Sequence, residues 1–151
     1  MIRLLRKLRR DERGVAIIEM AIVTPVLALI VVGMIDLSNG YSKKLQLEQA
    51  AQRTIEKAQQ TIVSDTMLNT LQAEGAQAAG VDPSKVTIDW WVECNGTRAA
   101  DYDTPCPSGQ TYARYLTAAI EGSYTPMFAT RFAGAVNGKY IIHGKAGIRT
   151  Q

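Results

Sequence analysis

Arg13-Gly14-Val15-Ala16-Ile17-Ile18-Glu19-Met20-Ala21-Ile22-Val23-Thr24-Pro25-Val26-Leu27-Ala28-Leu29-Ile30-Val31-Val32-Gly33-Met34-Ile35-Asp36-Leu37 is the stretch on which the rest of the chain depends. Val15 to Ile35 is 21 residues with a single charge, Glu19. At about 1.5 Å per helical residue such a run covers about 30 Å, the thickness of a bilayer's hydrocarbon core. Ahead of it, Arg3, Arg6, Lys7, Arg9, Arg10 and Arg13 stand against Asp11 and Glu12, so residues 1–14 carry +4 from side chains. That bias predicts a cytoplasmic N-terminus and export of everything beyond the span. Residues 15–37 therefore read as a transmembrane helix. A secretory signal peptide fits less well, because the run is too long and leaves through Met34-Ile35-Asp36-Leu37-Ser38, with no small-residue cleavage site.

Two residues separate this segment from a plain anchor. Glu19 lies inside the apolar run, where a carboxylate is costly unless paired and is by default a functional residue. The bland reading is an acid near enough to the headgroups to stay hydrated. Gly14, without a side chain, marks the boundary between charge and apolar run, where an extended backbone would suit a protease. Thr24-Pro25 removes one helical hydrogen bond, so Pro25 is expected to break or kink the helix.

Gly14 followed by Val-Ala-Ile-Ile-Glu resembles the type IV prepilin cleavage motif: glycine, four mostly apolar residues, then glutamate at position five of the mature chain. The longer string Glu12-Arg13-Gly14-Val15-Ala16-Ile17-Ile18-Glu19-Met20-Ala21, with Thr24-Pro25 after it, resembles the TadE-like family, the minor pilins or pseudopilins of tight-adherence (Flp) type IV pilus systems. The likeness covers about residues 10–50; beyond them it is one of outline only, small and extracytoplasmic, helix then strand. It implies a pilin-like fold and a prepilin peptidase that cuts between Gly14 and Val15, removing the leader 1–14. It also implies that Glu19 neutralises the new amine of an adjacent subunit. The implied partners are other pilin or pseudopilin subunits and the inner-membrane assembly platform. The implied location is the bacterial inner membrane, with the C-terminal domain periplasmic or extracellular. Major Flp pilins are much shorter and lack a globular domain, so the extra domain suggests a minor or tip-initiating subunit, or a pseudopilin. The competing organisation is an uncleaved single-pass anchor displaying a ligand- or carbohydrate-binding domain.

Outward from the span, residues 38–63 turn polar but keep a helical period. Leu47, Ala50, Ala51, Thr54, Ile55, Ala58 and Ile62 recur at spacings of three and four, so the same helix should continue with an apolar stripe. Residues 64–151 read as an α+β domain. Ser64-Asp65 caps a second helix with Met67, Leu68, Leu71 and Ala78 inward and Gly80 as its stop. The period then changes to two: Val86, Ile88, Trp90 and Val92 alternate with polar residues and Trp91. Thr111–Tyr124 repeats the pattern with Leu116, Ala118, Ile120 and Tyr124 inward, and Lys139–Thr150 does so with Tyr140, Ile142, Ala146 and Ile148. Met127 to Phe132 reads as a helical turn closing at Gly134, and Asn137-Gly138 as a turn. The expected fold class is a long helix packed on a small antiparallel sheet of three or four strands.

Residues 1–14 hold +4 of a net charge of +3, which leaves −1 on residues 15–151. The basicity is thus a topology signal, with no ground for a nucleic-acid partner. Cys94 and Cys106 fall in the exported part, where a disulfide is expected across a loop carrying Asn95-Gly96 and Pro107-Ser108-Gly109 at its ends. Two cysteines and the single histidine, His143, are too few for zinc, and Asp101 and Asp103 make calcium only a weak alternative. His143 lies opposite an apolar strand face, as a structural histidine would, and no nucleophile-elbow sequence accompanies it. No catalytic role, metal or cofactor is expected. Of Trp90 and Trp91, one should join the core and the other face outward.

Overall fold

The structure is a computed structural model that describes residues 12–59, 65–99, 104–127 and 135–150. The fold is α+β: a long, apolar N-terminal helix and a small antiparallel sheet of four strands. The chain forms two compact units, Met1–Asn39 and Gly40–Gln151. The described residues of the first unit all belong to helix α1 (Glu12–Gln59). Most of its described large apolar side chains, among them Ile17, Met20, Leu29 and Met34, are exposed. The helix runs through Pro25, which cannot donate to Ala21, while the Thr24 hydroxyl donates to Met20 O at 2.6 Å.

In the second unit the rest of α1 is antiparallel to helix α2 (Asp65–Ala79). Three contacts set that direction. Lys57 forms an ion pair with Glu74, Gly75 faces Thr54, and Lys43 Nζ donates to Ala79 O at 3.5 Å. A β-carbon on Gly75 would lie 2.9 Å from Thr54 Oγ1, so a larger residue would force the helices apart. Gly80, at φ +64°, ends α2, with Val81 N–H donating to Ala76 O at 3.0 Å across it. Buried α2 residues are Met67, Leu71, Gly75, Ala76 and Ala79. Ala78, expected inward, is exposed, because the closest approach to α1 runs through Gly75 and Ala79.

After a 3₁₀ turn (Pro83–Lys85) come β1 (Val86–Cys94), β2 (Thr97–Arg98), β3 (Tyr112–Tyr124) and β4 (Tyr140–Arg149). They form one antiparallel sheet in the order β2-β1-β3-β4. The rows Ile88–Ala118–Ala146 and Trp90–Leu116–Ile148 run across its inner face. There Leu47, Ala50, Ala51, Ile55 and Ala58 of α1 join Leu71, Val86, Leu116 and Ile120 in one core. Every described member of the expected α1 stripe is buried, Thr54 included, its hydroxyl donating to Ala50 O at 2.9 Å. Ile62, Ser64 and the 128–134 part of the expected helical turn lie outside the described residues.

Gly122 and Gly144 shape the contact between helix and sheet. A β-carbon on Gly122 would lie 2.8 Å from Leu47 Cδ1; one on Gly144 would lie 2.6 Å from Glu48 N and Leu47 O. Leu47, fully buried, thus fills a recess that two glycines leave open.

The expected loop after Cys94 begins instead as a hairpin. Asn95 and Gly96, at φ 51° and 78°, make the two-residue turn that a twisted hairpin favours, and β2 pairs Cys94 with Thr97 and Glu93 with Arg98. Asn95 Oδ1 accepts from Thr111 N and Oγ1, both at 2.9 Å, which ties the start of β3 to the hairpin tip. The Cys94–Cys106 disulfide closes the loop at a Cα–Cα distance of 5.6 Å. Replacing both cysteines with alanine is expected to lower stability by about 3 kcal/mol. Denaturant unfolding of the full chain in detergent micelles measures this. A negligible loss would mean that the hairpin and the Asn95–Thr111 bonds hold the loop unaided.

Candidate functional site

The sequence places its candidate chemistry at the start of α1. Gly14 and Val15 lie in the first turn of that helix, so the backbone expected to be extended is helical and a peptidase would have to unwind it locally. Gly14 is half-exposed with no atom near the position of its missing β-carbon. Glu19 is exposed and four residues beyond Val15, on about the same helix face. From Ala16 onward α1 is long and apolar enough to cross a membrane, and none of its most apolar window is buried. An exposed apolar helix surface of this length is unfavourable in water and fits hydrocarbon.

The outer face of the sheet carries the other candidates, and most of them are engaged with one another. Trp91 stacks on Tyr115 at 5.3 Å, and the Arg98 guanidinium covers it at 4.7 Å. Arg98 also binds both oxygens of Asp89, at 2.9 and 3.1 Å, and Trp91 Nε1 donates to Glu93 Oε1 at 2.9 Å. Trp90 faces the core and Trp91 faces out, as alternation requires. His143 is exposed beside Glu121, its partner in register. The hydrogen bond and charge of Lys85, 2.6 Å away, hold the Glu121 carboxyl below its ordinary range. This arrangement ties up polar groups pairwise. Asp101 and Asp103 lie outside the described residues.

Sequence reasoning passed over one group: Tyr41, Leu45, Val136 and Ile141, large apolar residues that remain exposed in the second unit. Tyr41, Leu45 and Ile141 sit in locally ordinary helix or strand patterns and Val136 beside a tight turn, so only the folded surface sets them apart.

Neither the curated proteins nor the solved structures yield a match to this chain. The family model described as TadE-like protein matches residues 14–55, from the glycine at the charge boundary to the buried stripe of α1. Residues 14–55 are thus similar to the TadE-like family, the one that Gly14, Glu19 and Thr24-Pro25 already pointed to.

Proposed function

We propose that this chain is a minor pilin or pseudopilin, processed after Gly14, that takes part in assembling or initiating a tight-adherence (Flp) type IV pilus for surface attachment. The TadE-like match associates the chain with Tad pilus components in general. One observation carries the finer reading: the match begins at Gly14, where the basic block ends, and Glu19 follows at the motif's spacing in an exposed apolar helix.

In this reading the N-terminus is cytoplasmic, the span lies in the bacterial inner membrane, and the second unit is exported. A prepilin peptidase cuts between Gly14 and Val15. The cut removes the +4 that would pin the N-terminus at the cytoplasmic face and creates an amine at Val15. That amine requires a counter-charge in lipid, which Glu19 of an adjacent subunit supplies. Two buried charges that meet only in the assembled state favour assembly and penalise misregister. The protein acts as a structural subunit, and the reading assigns it no catalysis and no cofactor.

Intact mass or N-terminal sequencing of the protein from membranes, with and without the prepilin peptidase, tests this. The expected result is a peptidase-dependent start at Val15. A start at Met1 under both conditions would overturn the reading and leave an uncleaved, single-pass anchor.

A further inference from the structure

Among the described residues, the second unit exposes five large apolar side chains: Tyr41, Leu45, Met127, Val136 and Ile141. Tyr41 and Leu45 lie in the first turns of α1 within the unit, Met127 and Val136 in the described residues between β3 and β4, and Ile141 at the start of β4. The structure brings these segments together. Tyr124, the last residue of β3, lies 3.5 Å from where a β-carbon on Gly40 would be. Across the sheet Tyr124 pairs with Tyr140, and Ser123 with Ile141. Beyond them Val136 and Lys139 close a tight turn through Asn137 and Gly138, at φ 52° and 74°. The apolar surface is therefore gathered at the end where the chain joins the unit. The disulfide hairpin lies at the opposite end of β1, and the sheet's outer face between them carries ion pairs.

We propose that this end rests in the headgroup layer of the bilayer, a second membrane contact of the chain. The inference depends on the reading of the apolar run of α1 as a membrane span. Its chemistry is that of the interface. Tyrosines, apolar in the ring and polar at the hydroxyl, favour this depth. Val136, Ile141 and Met127 supply aliphatic surface. Residues 135–142 carry one cation, Lys139, and no acid, which suits anionic headgroups. Continuity identifies the occupant: Gly40 follows Leu37 by three residues in the one described helix long and apolar enough to cross a membrane.

The test uses the full chain in phosphatidylethanolamine–phosphatidylglycerol vesicles, the native disulfide intact. An environment-sensitive fluorophore is placed on Val136→Cys, on Ile141→Cys, on Ile30→Cys within the span, or on Asn69→Cys on the exposed side of α2. Brominated lipid is the quencher. Quenching at Val136 and Ile141 is expected to be several-fold above that at Asn69 and to approach that at Ile30. Quenching at Ile30 but not at Val136 or Ile141 would overturn this inference and leave the span intact. Absence of quenching at Ile30 would overturn the span reading and this inference with it. Protection of Val136 from aqueous iodide only at high protein-to-lipid ratio, without lipid quenching, would assign the surface to a second copy and overturn the lipid assignment. All four labelled positions are exposed, so the substitutions leave the core intact.

Discussion

Gly144→Ala is expected to destabilise the second unit by about 3 kcal/mol, at the upper end of overpacking costs. The added methyl would sit 2.6 Å from Glu48 N and Leu47 O. These are backbone atoms of a regular helix, so no side-chain rotation relieves the clash. The helix must back away from β4, which loosens Leu47, Ala50 and Ala51 at once. Gly122→Ala is a different case, since its nearest neighbours, at 2.8 and 3.1 Å, are the Leu47 methyls. Leu47→Ala alone should cost about 3–5 kcal/mol by opening a cavity. Combined with Gly122→Ala it should cost less than the sum of the two, because the new methyl occupies part of that cavity. Combined with Gly144→Ala it should bring no such relief. Thermal and denaturant unfolding of the five variants in detergent micelles would separate the cases. Full compensation between Leu47→Ala and Gly144→Ala would show that the side chain, and not the helix backbone, sets the spacing.

Under the proposed pairing, Glu19→Gln is expected to abolish incorporation of the subunit while leaving membrane insertion intact. Removing one partner of a buried charge pair costs about 3–5 kcal/mol. At 1.4 kcal/mol per factor of ten, that weakens association by roughly a hundredfold or more. Glutamine keeps the shape and loses the charge, so a failure would be electrostatic in origin. Immunoblots of sheared pili and of the membrane fraction, with the N-terminus of each variant determined, measure incorporation and processing separately. Wild-type incorporation of Glu19→Gln would end the pairing role. Loss of processing instead would place Glu19 in recognition by the peptidase.

The sequence made the layers of this fold legible where periodicity carries the signal. The 3–4 spacing from Leu47 to Ala58 identified the buried stripe of α1, and alternation assigned the strand faces, including the opposite directions of Trp90 and Trp91. The candidate site was legible because it is linear: basic block, Gly14, Glu19 and Pro25 follow one another along the chain, and the family match starts at the same glycine. Features created by the meeting of distant segments were not legible. Gly144 sits at an inward position of β4 with no side chain to announce it, and its role depends on Leu47 and Glu48. Strand β2 is two residues long, too short for any period, and only the Asn95–Gly96 turn hinted at it. Ala78 was misplaced because alanine fits either face of a helix, and the path of the α1–α2 contact chose Ala79 instead.

The recess formed by Gly122 and Gly144 also imposes a timetable. A ribosome makes Leu47 ninety-seven residues before it makes Gly144. At about 5–20 residues per second, the interval is about 5–20 s. Throughout it the stripe from Leu47 to Ala58 has only α2 and the earlier strands to rest on, and β4 comes after the other described strands. The core therefore stays unfinished until β4 is made, and folding of the second unit cannot close before then. A stalled or C-terminally truncated product would keep that stripe uncovered, a form that chaperones and proteases can distinguish from the finished subunit.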